Sequence, residues 1–126
     1  MNIPDDLYYT LTHEWVRFTD RGTALVGLTD PAQNLLSTLM FINLRDTGAP
    51  LSPGEPAGEA ESMKAVKAIL SPLAGRIVAV NEQAMDQPDL VNLKPYDTWL
   101  IELDDVDGAD RLVEPERYRV LVTKGE

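Results

Sequence analysis

Apolar and polar residues alternate along most of this chain in short runs, the period of strands with one face in a core and one in water. Residues 13–18 alternate around Trp15, residues 23–28 are apolar or β-branched at several places, and residues 39–44 form a compact apolar run. In residues 65–70, Val66, Ala68 and Leu70 fall on one face and Ala65, Lys67 and Ile69 on the other. Ser71-Pro72-Leu73-Ala74-Gly75 then breaks the chain, and a β-rich run resumes over 76–80. Residues 98–103 read as a further strand. Helical signals are few. Asp30, Pro31 and Gln33 supply an N-cap, a proline at the first helical position and a capping-box partner, which predicts a short helix over 31–37. Residues 115–122 read as a terminal helix with Tyr118, Leu121 and Val122 as its apolar side. Residues 47–55, with two glycines and two prolines, read as a loop, and the acidic residues 102–110 as a solvated linker. These patterns describe a small, mainly β barrel or sandwich with minor helices.

Residues 61–75, ESMKAVKAILSPLAG, place Lys64 between two such strands, at the tip of a tight hairpin. A lysine at a turn is most often a solvated charge and nothing more. Here the approach and exit are unusually small in Ala57, Gly58, Ala60, Ser62, Ala65 and Ala68, so an enzyme could reach the amine without a steric barrier. That combination suggests a post-translational attachment point, and hence a carrier.

Composition narrows the classes. A chain of 126 residues is the length of one domain. No stretch approaches the ~20 apolar residues of a membrane span, and the first residues lack the basic and apolar regions of a signal peptide, so a cytoplasmic location is expected. A formal charge of −10 disfavours nucleic acid and anionic lipid as partners and favours basic patches on proteins. With no Cys and one His, disulfides and the usual zinc sites are excluded, and any redox chemistry must come from a prosthetic group. No His dyad, nucleophile elbow, phosphate loop or pair of catalytic carboxylates is readable, which argues against an enzyme. His13 beside Trp15 reads as a packing residue with one hydrogen bond.

Several separated motifs resemble, in order, those of the glycine cleavage system H-protein family. They are His13-Glu14-Trp15, VGLTDPAQ over 26–33, Glu-Ser-x-Lys-Ala over 61–65, Ser-Pro-x-x-Gly over 71–75, IVAVN over 77–81, and Asp89-Leu90-Val91-Asn92 leading to Pro95-Tyr96. The resemblance spans residues 5–118 and implies one lipoyl-carrier domain over 1–126, a barrel-sandwich hybrid with short helices including a C-terminal one. It implies a covalent lipoyl group on Lys64, with Glu61 three residues before and Gly75 eleven after as parts of the attachment motif. Thr12 and Glu14 occupy positions that resemble the lining of a cleft receiving the loaded arm; by spacing alone, Glu14 reads as an ordinary exposed carboxylate.

The implied work is to shuttle an aminomethyl group between glycine decarboxylase (P protein), aminomethyltransferase (T protein) and dihydrolipoyl dehydrogenase (L protein), after loading by a lipoate-attaching enzyme. A lysine amine has a pKa near 10.4, so at pH 7 only about one in a few thousand is a neutral nucleophile, and attachment needs an activated donor. The tether then holds its cargo at an effective concentration of the order of millimolar at a docked partner. This chain is a divergent member by resemblance. Lys67-Ala68 replaces a usual Ser-Asp whose carboxylate is associated with holding the aminomethyl nitrogen, Pro31 replaces His or Tyr, Ser37-Thr38 replaces Gly-Asp, and Thr98 stands where paired glycines often precede Trp99. The alternatives left open are an H-like lipoyl carrier for sulfur oxidation or lipoyl relay, a biotinyl carrier, suggested by Met63, and an unmodified interaction module.

Overall fold

A computed structural model of the chain describes residues 1–124; Gly125 and Glu126, the last two residues of the expected single domain, lie outside the described residues. The elements run β1 (Tyr8–Tyr9), β2 (Glu14–Phe18), β3 (Ala24–Leu28), a 3-10 turn (Pro31–Asn34), β4 (Leu39–Leu44), β5 (Pro50–Leu51), β6 (Pro56–Ser62), β7 (Val66–Leu70), β8 (Ala74–Val80), α1 (Glu82–Asp86), α2 (Asp89–Leu93), β9 (Ile101–Asp107), a second 3-10 turn (Ala109–Arg111) and α3 (Pro115–Thr123). They form a six-stranded sheet in the order β1-β2-β3-β9-β8-β5 and a three-stranded sheet in the order β4-β6-β7, antiparallel throughout. The mainly β class with short helices and a C-terminal helix is as expected.

The alternation explains the layers. Val16, Ala24 and Val26 point inward from β2 and β3 against Ile77, Ile101 and Leu103, while Ile42, Ala60 and Ile69 carry the inner face of the small sheet onto Ala84 of α1 and Val91 of α2. In the third cluster α3 docks through Tyr118, whose ring stacks on Tyr9 with centroids 4.5 Å apart.

Several expectations change. The acidic linker over 102–110 is in large part strand: β9 pairs with β3 on one side and β8 on the other. Its carboxylates occupy the outer row, where Arg21 meets Glu102 and Arg76 meets Asp104, each at 3.1 Å. Between the pairs Ala74/Asp107 and Arg76/Asp104 the chain advances two residues on β8 but three on β9, a bulge at which Asp105 takes φ 50°. That extra residue breaks the alternation and hides the strand. The strand also starts at Ile101, not at 98, because Asn81 captures Trp99 O through its side chain and Leu100 O through its backbone.

The helix predicted over 31–37 is a single 3-10 turn, and Asp30 makes no cap hydrogen bond. Thr29 Oγ1 accepts from Ala32 N instead, one residue earlier, and the turn ends where Asn92 takes up Ser37 O and Leu39 N. The loop over 47–55 contains β5, which closes the edge of the large sheet against β8. The glycine turn before β8 is not a turn at Gly75, which lies within the strand. A Cβ there would stand 2.8 Å from Asp104 O, so the glycine serves the close approach of β9 at the bulge.

Candidate functional site

The Lys64 turn is built by Ser62. Its backbone N–H donates to Ala65 O at 2.9 Å, its hydroxyl donates to the same carbonyl, and its Oγ accepts from Lys64 N and Ala65 N, each at 3.1 Å. A side-chain oxygen thus stands in for a turn carbonyl, the local bonding Ser favours at turns. Sequence reasoning counted Ser62 only as small; a serine two residues before the candidate lysine was the signal. Lys64 is exposed, and its Nζ donates to Asn34 O at 3.0 Å.

The small residues around the turn do something other than clear a path. Ala57 and Ala60 are fully buried and Ser62 nearly so: Ala60 and Ser62 alternate toward the core along β6, and Ala57 faces it across the irregularity at Pro56/Gly58. What flanks the lysine on the outside is apolar: Met63 is 85% exposed, and Val66 and Phe41 stand on either side of half-buried Glu61 in one cross-strand row. Gly75 lies in the other sheet, on β8.

Thr12 and Glu14 come together at a second place. Residues 10–14 form a turn closed by His13 N to Thr10 O, with His13 in the left-handed region at φ 71°, so that Glu14 begins β2 with its side chain directed inward. Glu14 is 0% exposed, not the surface carboxylate its spacing suggests. Its Oε1 accepts from Thr12 Oγ1 at 2.5 Å and Thr10 Oγ1 at 2.6 Å, and its Oε2 from Lys67 Nζ at 3.1 Å and Leu70 N at 3.2 Å. A carboxylate has about four lone-pair sites, and here all are filled. The Lys67 side chain is 12% exposed and also donates to Ala68 O at 3.1 Å. Ala68, exposed on the alternate row opposite Glu59, does not share this face.

Thr10, Thr12, Glu14, Leu70, Ser71 and Arg111 belong to the wall of a cleft of about 300 Å³. Thr10 was missed because it reaches Glu14 through the turn at residues 10–13 and not through strand alternation. Arg111 reaches the cleft only through the tertiary fold. Behind Glu14, His13 Nδ1 and Thr29 Oγ1 lie 2.7 and 2.8 Å from the Tyr118 hydroxyl. Burial, assisted by the Lys67 charge and opposed by Glu14, holds the His13 imidazole below its usual value of 6.5. His13 is therefore a packed, hydrogen-bonded residue, as its sequence context suggested.

The glycine cleavage H-protein family model matches residues 7–125. The chain belongs to this family. It is 47% identical over 120 residues to a glycine cleavage system H protein of Pseudoalteromonas atlantica, covering 93% of each chain, and 41% identical over 124 residues to that of Lachnoclostridium phytofermentans, covering 98% of each. A crystal structure of a glycine cleavage system H protein from Mycobacterium marinum superposes with a TM-score of 0.85 at 34% identity, covering 98% of this chain and 100% of that one. The fold is the barrel-sandwich hybrid, and the family is the lipoyl carrier subunit of the glycine cleavage system. H proteins work with the enzymes of that system.

Two family motifs have visible structural work. Gln33 and Asn92 bond each other in both directions and, with the Asn92 contacts to Ser37 and Leu39, tie α2 to the entrance of β4. Thr98 donates to Leu90 O at 3.2 Å, an added tie at a position where the resemblance leads one to expect glycine. No helix of the described residues is long and apolar enough to cross a membrane.

Proposed function

We infer that this chain, as one carrier domain, bears a lipoyl group in amide linkage to Nζ of Lys64 and shuttles an aminomethyl group within a glycine cleavage system. One observation carries the reading. Of the two lysines on the hairpin, only Lys64 is exposed at a turn that its own serine holds rigid, whereas Lys67 is engaged with a buried carboxylate. Exposed Met63, Val66 and Phe41 offer the apolar contact that a largely apolar arm can use. The residues therefore fit the group.

When bound, the lipoyl group supplies the dithiolane that exchanges thiols and holds the cargo. The protein's own part is presentation. Lys64 loses its positive charge on acylation, the Ser62 turn fixes the origin of the arm, and tethering keeps the arm's end at the order of millimolar for a docked partner. Glu61, three residues before the lysine and between Phe41 and Val66 on the outer row, is proposed as a contact for the lipoate-attaching enzyme, and Gly75 as the residue that lets β8 and β9 approach closely. Thr12 and Glu14 are proposed to line the cleft that receives the arm's end. Catalysis belongs to the partners, namely the glycine decarboxylase (P protein), aminomethyltransferase (T protein) and dihydrolipoyl dehydrogenase (L protein), with complementary basic surfaces and a cytoplasmic setting.

Intact mass of protein co-expressed with a lipoate ligase and lipoate tests the assignment. Wild type and Lys67→Arg should show the lipoyl adduct, and Lys64→Arg none; an adduct retained in Lys64→Arg would overturn it. A second reading, an H-like lipoyl carrier for sulfur oxidation or lipoyl relay, is favoured by one observation: the Glu14 carboxylate already holds a cation. Glycine–bicarbonate exchange with the cognate decarboxylase separates the two, since only the first reading expects stimulation by the lipoylated chain.

A further inference from the structure

The Glu14 site is a complete ammonium-binding site that this chain fills with its own side chain. Two threonine hydroxyls orient one carboxylate oxygen, a backbone N–H orients the other, and the remaining position is taken by Nζ of Lys67. The carboxylate is wholly buried and all its acceptor positions are used, so a second cation can be bound there only by displacing the first. Ala68 brings no carboxylate to replace it, and the other charged residue on the cleft wall is Arg111, which adds positive charge.

We propose that Lys67 is a specificity-determining residue of the cleft, an intramolecular ammonium that competes with cationic cargo for Glu14. This rests on the reading that the arm of Lys64 ends in this cleft, and it states which chemistry the cleft selects: a neutral or anionic end is admitted, and a primary ammonium is held only as far as it outcompetes Lys67. Geometry decides the competition. A cargo on a long flexible arm samples a wide volume, giving an effective concentration of the order of millimolar at any one point. Lys67 reaches the same oxygen on a short side chain anchored in β7, and its ammonium is already in contact. The tethered lysine therefore has the higher local concentration. An aminomethyl load on this carrier is consequently less sheltered, and more readily surrendered, than it would be at an unoccupied carboxylate.

The experiment begins on the unmodified chain, so that it does not depend on lipoylation. Ethylammonium chloride, matched against sodium chloride, is titrated into ¹⁵N-labelled wild type, Lys67→Ala, Lys67→Arg and the double variant Glu14→Gln/Lys67→Ala, reading the amide signals of Thr12, Glu14 and Leu70. Lys67→Ala should bind ethylammonium saturably and at least about tenfold more tightly than wild type, the advantage expected when a tethered competitor is removed. Lys67→Arg should behave as wild type and the double variant should bind nothing. If wild type binds as tightly as Lys67→Ala, or if the double variant binds as well as the single one, the proposal is wrong. Should Lys67→Ala fail to fold, Lys67→Met, which fills the space without a charge, takes its place in a comparison with Glu14→Gln/Lys67→Met. On the lipoylated protein loaded with an aminomethyl group and kept from its partners, spontaneous release of the load should be slower in the neutral variant than in wild type; equal rates would overturn the proposal. Absence of the adduct from Lys64 would sink the carrier reading while leaving the ethylammonium result intact.

Discussion

Two lysines three residues apart on one hairpin meet opposite fates, and the contrast separates an amine left accessible to solvent from one taken into the packing. Lys64 sits in a turn whose bonds come from Ser62 and extends over the surface to a backbone carbonyl. Lys67, the second residue of β7, lies on the row that alternates into the molecule and finds Glu14. A half-turn of the pleat makes the difference: the period of two sends Val66 and Ala68 outward and Lys67 and Ile69 inward. An exposed amine can be acylated; an amine committed to a buried carboxylate holds the site together.

The sharpest way to break this comparison is to remove the carboxylate paired with Lys67 and, separately, the one on the strand leading into the Lys64 turn. Glu14→Leu strands the Lys67 ammonium and two hydroxyls, and should cost about 3 kcal/mol, the low end for breaking a buried pair because Lys67 can swing its head toward water. Glu61→Ala, on the outer row, should stay within about 0.5 kcal/mol. Urea denaturation of the two variants measures both, and equal losses would mean that Glu14 is no more committed than a surface residue.

A smaller effect is expected at the turn. Ser62→Ala deprives Lys64 N and Ala65 N of their shared acceptor and should destabilise by about 1 kcal/mol, similar to the loss of a helix cap. Because the turn sets where Lys64 is presented, acylation of this variant by a lipoate ligase should also slow, read by the time course of intact mass. An unchanged rate would show that the ligase does not need the turn's geometry.

The mildest test uses pH. His13 is held below 6.5 in the fold by burial first and the Lys67 charge second, so the unfolded chain binds a proton more readily. Its contribution to stability is full above pH 6.5 and falls as pH drops from 6.5 toward the depressed folded value. The melting temperature should decline across that window in wild type. His13→Asn, which tolerates the left-handed backbone at this position, should flatten the decline. Lys67→Met should flatten it too, since it removes a cation and leaves Glu14 free to favour the imidazolium. If Lys67→Met leaves the slope unchanged, Lys67 does not act on His13.

Most strands were legible because one face of each is buried and the period of two shows through, as in the runs that became β2, β3, β4, β7 and β8. The terminal helix was legible from Pro115 and the spacing of Tyr118 and Val122, both packed in the third cluster. The strands β1 and β5, of two residues each, carry too few positions for any period, and α1 and α2, of five residues each, barely exceed one turn. Asn81, whose side chain accepts from Ala84 N, was the one local sign of α1.

The amino-acid sequence by itself determined the family, the alternating strands and the exposed lysine at a turn, because each is encoded in neighbouring residues and a hairpin closes on itself. Tertiary structure alone decided that Glu14 is buried, that Lys67 and not solvent neutralises it, and that Arg111 joins the same cleft. Glu14 and Lys67 stand 53 positions apart on different sheets. The physical reason is that burial and charge pairing belong to the packing of one sheet on another, and no local pattern records which side chain from the far layer will arrive.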